Sequence, residues 1–182
     1  AKAGDTATAQ LYYDKAAELK TKMDEKLWDD CFYKTIPAEE PQAVAQWERP
    51  AERNARELIG YIPWYFGLPE HGKSEAFQWL NRQDGFAAPS GLTTAEQSHP
   101  RFMEEFDHEC LWNGPVWPFA TSQTLVAAAN MLRREKCSSF TPEDYYRLLL
   151  QYARSHHRID EQGRSVPWID ENMHPYTGRW LS

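Results

Sequence analysis

Near the start of the chain the apolar positions recur in steps of four: Leu11, Leu19, Met23 and Leu27 share one register, with Lys15 as its polar member and acids and lysines elsewhere. Steps of four fall on one face of a helix, so the spacing predicts an amphipathic helix from Thr8 to Trp28. The period then changes. "CFYKTI" at 31–36 is β-prone and ends at Pro37, which predicts a short strand. "PAEEPQAVAQWERP" at 37–50 is bounded by prolines and reads as an irregular excursion. In "ELIGYIPWYFGLPEHG", Pro63, Gly67, Pro69 and Gly72 deny a long helix while the residues between them are apolar and aromatic. A buried, aperiodic segment must find partners for its backbone groups, a cost that points to a site more than to a linker.

Further along, Ala76, Phe77 and Leu80 form a stripe behind Ser74, predicting a short helix over 74–81 with Ser74 as its cap. "QDGFAAPSGLTTAEQSHPRF" is turn-rich, and Gly114, Pro115 and Pro118 hold the next stretch open. From Phe119 to about Glu135 helical spacing returns, with Ala127, Ala128 and Ala129 allowing close packing. Thr141 stands as N-cap before Pro142 and Asp144, starting a helix that runs to about His157. The closing segment, 158–182, reads as a long loop.

Four helices joined by loops of up to roughly 25 residues do not make a simple bundle, whose connections run about 2 to 8 residues. A ring of antiparallel helices with its loops gathered at one end would accommodate them. The expected fold is therefore all-α, of the α/α toroid kind, with long pocket-forming loops and at most a small strand pair. No sequence repeat supports this; the arrangement of elements does.

Composition sharpens the picture at one point. Trp, Tyr and Phe number 8, 9 and 8, more than a core of this size needs, and stiff aromatic side chains beyond that need suit a lined carbohydrate pocket or groove. A helical core filled with rings would also account for them. The net charge of -7, without a Lys/Arg block, excludes a nucleic-acid partner as the first reading. Cys31, Cys110 and Cys137 lack the spacing of a zinc or redox pair. No signal-peptide pattern or apolar run long enough for a membrane span is found, and the compartment stays open.

Among the loop acids Glu39, Glu40, Glu48, Glu70, Glu96, Asp107, Glu109, Asp170 and Glu171, the last has a distinctive setting. Asn172, Pro175 and Gly178 shape a turn around it, and Trp168 and Trp180 flank it. A carboxylate fixed beside apolar walls can serve as a general acid or base. It could equally be a turn acid paired with Arg164 or Arg179, and the residues alone leave both readings open. In "LWNGPVWP", Asn113 between Trp112 and Trp117 suits a sugar, with hydroxyls on the amide and C–H faces on the rings, or else a Pro-Gly turn whose indoles plug the core. His71, His99, His108, His156, His157 and His174 form no chelating pattern, and HExxH, a phosphate loop and GxSxG are all missing.

"LWNGPVWPFATSQTL" resembles the W-x-G-P-[VI]-W segment of (α/α)6-barrel glycoside hydrolases related to family 63, and "IDENMHPYTGRWL" resembles their closing E-N-x-x-P-x-T-G motif. "GYIPWYFGLPE" and "GFAAPSGLTTAEQSHPRF" are similar to pocket loops of the mannosylglycerate hydrolase-like subgroup. The likeness runs from about Leu11 to Leu181. It implies an inverting, exo-acting glycosidase of α-glucosidase or α-mannosidase type, with Glu171 as general base and no cofactor or metal. Trp64, Glu96, Gln97, Trp112, Asn113, Trp117 and His174 would bind the carbohydrate substrate. The family's general acid, an Asp far upstream of the base, would precede Ala1. Residues 1–182 are then expected to be the C-terminal portion of one catalytic domain, inactive without the N-terminal half of the barrel. A silent carbohydrate-binding or structural helical domain, and a sugar epimerase using His174, are the alternatives.

Overall fold

Asp5 caps the first helix by accepting the Thr8 N–H at 2.9 Å, and the good helix formers behind it carry α1 from Thr6 to Leu27. In the computed structural model, which describes residues 4–36, 53–105 and 110–182, α1 buries none of its residues fully. Its apolar stripe is used only at the C-terminal end, where Met23 and Leu27 pack on the core while Leu11 and Leu19 stay exposed. Side-chain bonds hold that end. Lys73 Nζ donates to Asp24 at 2.6 Å and sits over the Trp28 and Tyr33 rings, the Tyr33 hydroxyl donates to Asp24, and Lys20 pairs with Glu70.

The strand expected at 31–36 reduces to one bridge between Trp28 and Tyr33. Asp29 Oδ1 accepts the N–H groups of Cys31 (3.2 Å) and Phe32 (2.8 Å), which turns the chain too tightly for a ladder and drives Phe32 into the core. The excursion at 37–50 lies outside the described residues, as do Glu39, Glu40, Glu48, Asp107, His108 and Glu109.

No long helix forms in the aromatic segment, as its prolines and glycines dictate. A 3-10 turn over Leu58–Tyr61 leads into the single turn α2, Ile62–Tyr65. Gly60 permits this approach: a Cβ there would meet the Phe32 ring and the Tyr33 carbonyl at 2.3 Å. The helix predicted at 74–81 is a 3-10 helix, Ser74–Leu80, and Ser74 does not cap it. Tyr61 donates its hydroxyl to the Ala76 carbonyl at 2.9 Å, drawing an acceptor of this segment toward the core. Phe32, Tyr61, Trp64, Phe77, Phe86 and Phe140 meet there in an aromatic cluster with ring separations of 4.8 to 6.1 Å. Each such ring contributes roughly 1.5–3 kcal/mol by leaving water.

The two remaining helices match the sequence pattern closely. α3 spans Pro118–Arg134 and presents fully buried Ala127 and Ala128, where small side chains let it pack against α2. From α3, Asn130 and Arg134 donate to the carbonyls of Trp64, Tyr65 and Gly67, satisfying the end of α2. α4 spans Pro142–Ser155 and begins with a capping box between Thr141 and Asp144.

Two short antiparallel pairs complete the structure, one more than expected. β1, Ala87–Ala88, pairs with β2, Gly91–Leu92. β3, His157–Ile159, pairs with β4, Ser165–Pro167, inside the segment expected to be all loop. Asp160 closes that hairpin by accepting the N–H groups of Gln162 and Arg164. The result is a mostly helical layer with long loops, the layout of part of an α/α domain.

Candidate active site

The closing motif is built as a backbone ladder. Gly178, at φ 68°, turns the chain so that His174 N–H donates to the Arg179 carbonyl (2.8 Å) and Leu181 N–H to the Asn172 carbonyl (3.0 Å). Met173 then exchanges two bonds of 2.9 Å with Val116, joining this ladder to the Trp-rich loop. Asn172 and Met173 are buried by the pairing. Glu171, one residue before, is exposed.

Its backbone is fixed: the Glu171 N–H donates to Asp170 Oδ1 at 3.0 Å and to Ser182 Oγ at 3.2 Å. Its carboxylate lies 3.8 Å from Cys110 Sγ. Among the described residues it has no ion pair; Arg164, one proposed partner, is occupied by Asp160 at 2.8 Å. The turn-acid alternative therefore lacks its salt bridge. An exposed carboxylate on a rigid backbone can accept a proton from a water molecule, which is what a general base does.

The Trp-rich loop runs alongside. Trp112 and Trp117 stack with ring centroids 4.3 Å apart and planes 21° apart. Trp117 is buried and anchored by its Nε1–H to the Leu111 carbonyl at 2.8 Å, whereas Trp112 is 45% exposed. The pair is an outward-facing aromatic platform. Asn113 donates Nδ2 to the carbonyls of Arg101 and Glu104 and leaves Oδ1 buried without a partner. It fixes the 101–104 turn while retaining one acceptor.

The other expected ligands are used differently. Trp64 is 2% exposed and packs edge-on against Phe77 in the core, because the prolines and glycines around it fold its segment inward. Glu96 is 4% exposed and its two oxygens accept from the Arg56 N–H (2.7 Å) and guanidinium (2.6 Å). Both oxygens are thereby engaged within the chain. The carboxylate is a strut that pins the 93–98 loop to Arg56, whose guanidinium stacks on Trp79 at 3.8 Å. Gln97 donates to the Ala87 carbonyl at 2.8 Å and accepts from the Tyr176 hydroxyl at 2.8 Å. It ties the closing motif to β1. His174 Nδ1 accepts the N–H groups of Tyr176 (3.2 Å) and Thr177 (3.3 Å), so the proton of the neutral ring rests on Nε2. An epimerase role would have to work around those bonds.

The structure thus gathers Glu171, Trp112, Asn113 and Trp117 along the ladder, with Gln97 and His174 bracing it and Trp64 and Glu96 elsewhere. Three contributors were missed from sequence. Cys110 touches Glu171, Tyr176 latches Gln97, and Thr94 Oγ1 bridges the Gly114 N–H and the Pro115 carbonyl. Tyr176 carried a signal, being an aromatic residue inside the closing motif; Thr94 and Cys110 carried none. No group of three or more His, Cys, Asp or Glu among the described residues could hold a metal ion. No described helix is long and apolar enough to cross a membrane.

Comparison with curated proteins gives no match. A solved structure named sialidase superposes with a TM-score of 0.82 and 36% identity over 98% of this chain. The chain spans 15% of the sialidase chain's length. The match to the family described as "Mannosylglycerate hydrolase MGH1-like glycoside hydrolase domain" extends over residues 1–182. With that breadth of match, and with the two motifs that carry the likeness joined in one ladder, the chain belongs to this glycoside hydrolase domain family.

Proposed function

We propose that residues 1–182 supply the general base and an aromatic wall of the sugar pocket in an inverting, exo-acting hydrolase of a small α-linked glycoside. Glu171 is the base. The observation that carries the reading is the union of an exposed carboxylate without an ion pair among the described residues and a stacked, half-open tryptophan pair beside one hydrogen-bonded ladder. Trp112 offers its face to the C–H side of a sugar ring, and Asn113 and Trp117 hold that face in place.

In the reaction, Glu171 takes a proton from water as the water oxygen bonds to the anomeric carbon from one face. The bond to the leaving oxygen breaks on the other face, and that oxygen receives a proton from a carboxylic acid. In inverting enzymes the two carboxyl groups stand about 6.5–9.5 Å apart, leaving room for the water. The acid belongs to the remainder of the barrel, with which this chain would form one catalytic domain. In the intact protein, Glu171→Gln should lower kcat about 10²- to 10⁴-fold with KM little changed. Proton NMR of the first product formed should show the anomer opposite to that of the substrate. An unaltered kcat would remove Glu171 from the role, and a retained anomer would remove the inverting mechanism.

A further inference from the structure

Beside the closing motif, α4, the start of the β3–β4 hairpin and the 176–180 loop line a broad, open groove of about 1580 Å³. Neither Glu171 nor the Trp112–Trp117 pair lines it, while Gln97 and the closing motif's Met173 and Tyr176 form its near wall. Its walls carry Arg147, Arg154, His157, Arg158 and Arg179, and no Asp or Glu. In a chain with 27 acids against 20 bases, such a sorting of charge is unexpected. Arg147 is engaged by Asp144 at 3.0 Å and Arg158 stacks on Trp168 at 3.5 Å. Arg154 and Arg179 have no ion pair among the described residues, and the nearby carboxylate of Asp160 is held by Arg164. Two guanidinium groups without an ion pair among the described residues thus face one cavity.

We propose that this groove is a second carbohydrate site, for a carboxylate-bearing glycan chain. A guanidinium fork matches a carboxylate with two parallel hydrogen bonds. Tyr146, Tyr176 and Trp180 add ring faces for sugar C–H groups along the same walls. The volume exceeds the roughly 300–1,000 Å³ of a typical small-ligand pocket, so several linked sugar units fit better than one. A nucleic acid also presents anions and stackable rings, but the net charge of -7 opposes a polyphosphate backbone. The proposal rests on the groove's own residues and stands apart from the role of Glu171.

Isothermal titration calorimetry on the intact protein tests it with tetragalacturonate, a neutral tetrasaccharide and an octameric oligothymidylate as probes. Tetragalacturonate should bind at low salt, weaken as salt rises, and lose affinity by roughly tenfold or more in Arg154→Gln/Arg179→Gln. Glu171→Gln should bind it unchanged, which separates this site from the catalytic one. Both arginines are exposed, and circular-dichroism melting of the double variant checks that folding is intact. The proposal is overturned if tetragalacturonate does not bind, if the neutral sugar binds equally well, if the arginine variant binds as the parent does, or if the oligonucleotide binds more tightly.

Discussion

Residue by residue, the structure divides the carboxylates of the site loops by what already occupies their oxygens. Glu96 and Glu171 stand in neighbouring loops with similar local composition, yet one is buried against Arg56 and the other is exposed beside Cys110. Sequence spacing could not separate them, because the separation depends on Arg56, forty positions away from Glu96. The difference predicts unlike consequences for like substitutions. Glu96→Gln removes one charge from a desolvated, hydrogen-bonded pair and should cost about 1–3 kcal/mol of stability, seen as a drop in Tm of several degrees. KM for the glycoside should stay near the parent value in the folded fraction. A large rise in KM without loss of Tm would mark Glu96 as a substrate ligand instead.

At the level of elements, the C-terminal end of α1 is tied through Asp24 to Lys73 and Tyr33, beside the Lys20–Glu70 pair. Burial raises the Asp24 pKa, but the bonds from Lys73 and Tyr33 outweigh it and hold the carboxyl below its usual range. A depressed folded-state value means that this stabilisation is present above the unfolded pKa, near 4, and is lost as pH falls through the folded value. Acid should therefore loosen α1 before the aromatic core melts. Hydrogen exchange below about pH 4 should show Met23 to Leu27 opening ahead of Phe77 and Leu125, and Asp24→Asn should produce the same opening at neutral pH. If exchange in α1 tracks the core at every pH, the tether is not what holds the helix.

For the molecule as a whole, most of what the sequence announced was local. Thr141, Pro142 and Asp144 announced α4 because capping chemistry is complete within four residues. The expected stripe of α1 is real as a pattern, but Leu11, Tyr12, Tyr13 and Leu19 stay exposed, so periodicity did not foretell burial. The 3-10 form of 74–80 was illegible, since Tyr61 draws that backbone through a bond that depends on the fold, whereas the collapse of the 31–36 strand follows from a local turn at Asp29 that overrode the β-prone pattern. The site was half legible. Its two motifs stood out in sequence, whereas their pairing through Met173 and Val116 required the three-dimensional arrangement.

That pairing has a dynamic consequence. Val116 lies far along the chain from Met173 and Leu181, yet the three amides close one continuous ladder, so neither the tryptophan platform nor the carboxylate can swing away without unzipping the other. The two walls should breathe as one cooperative unit, with a shared opening free energy measured by native-state exchange at the three amides. A sugar that slows exchange at Val116 should slow it equally at Met173 and Leu181; separate responses would show that the walls gate independently.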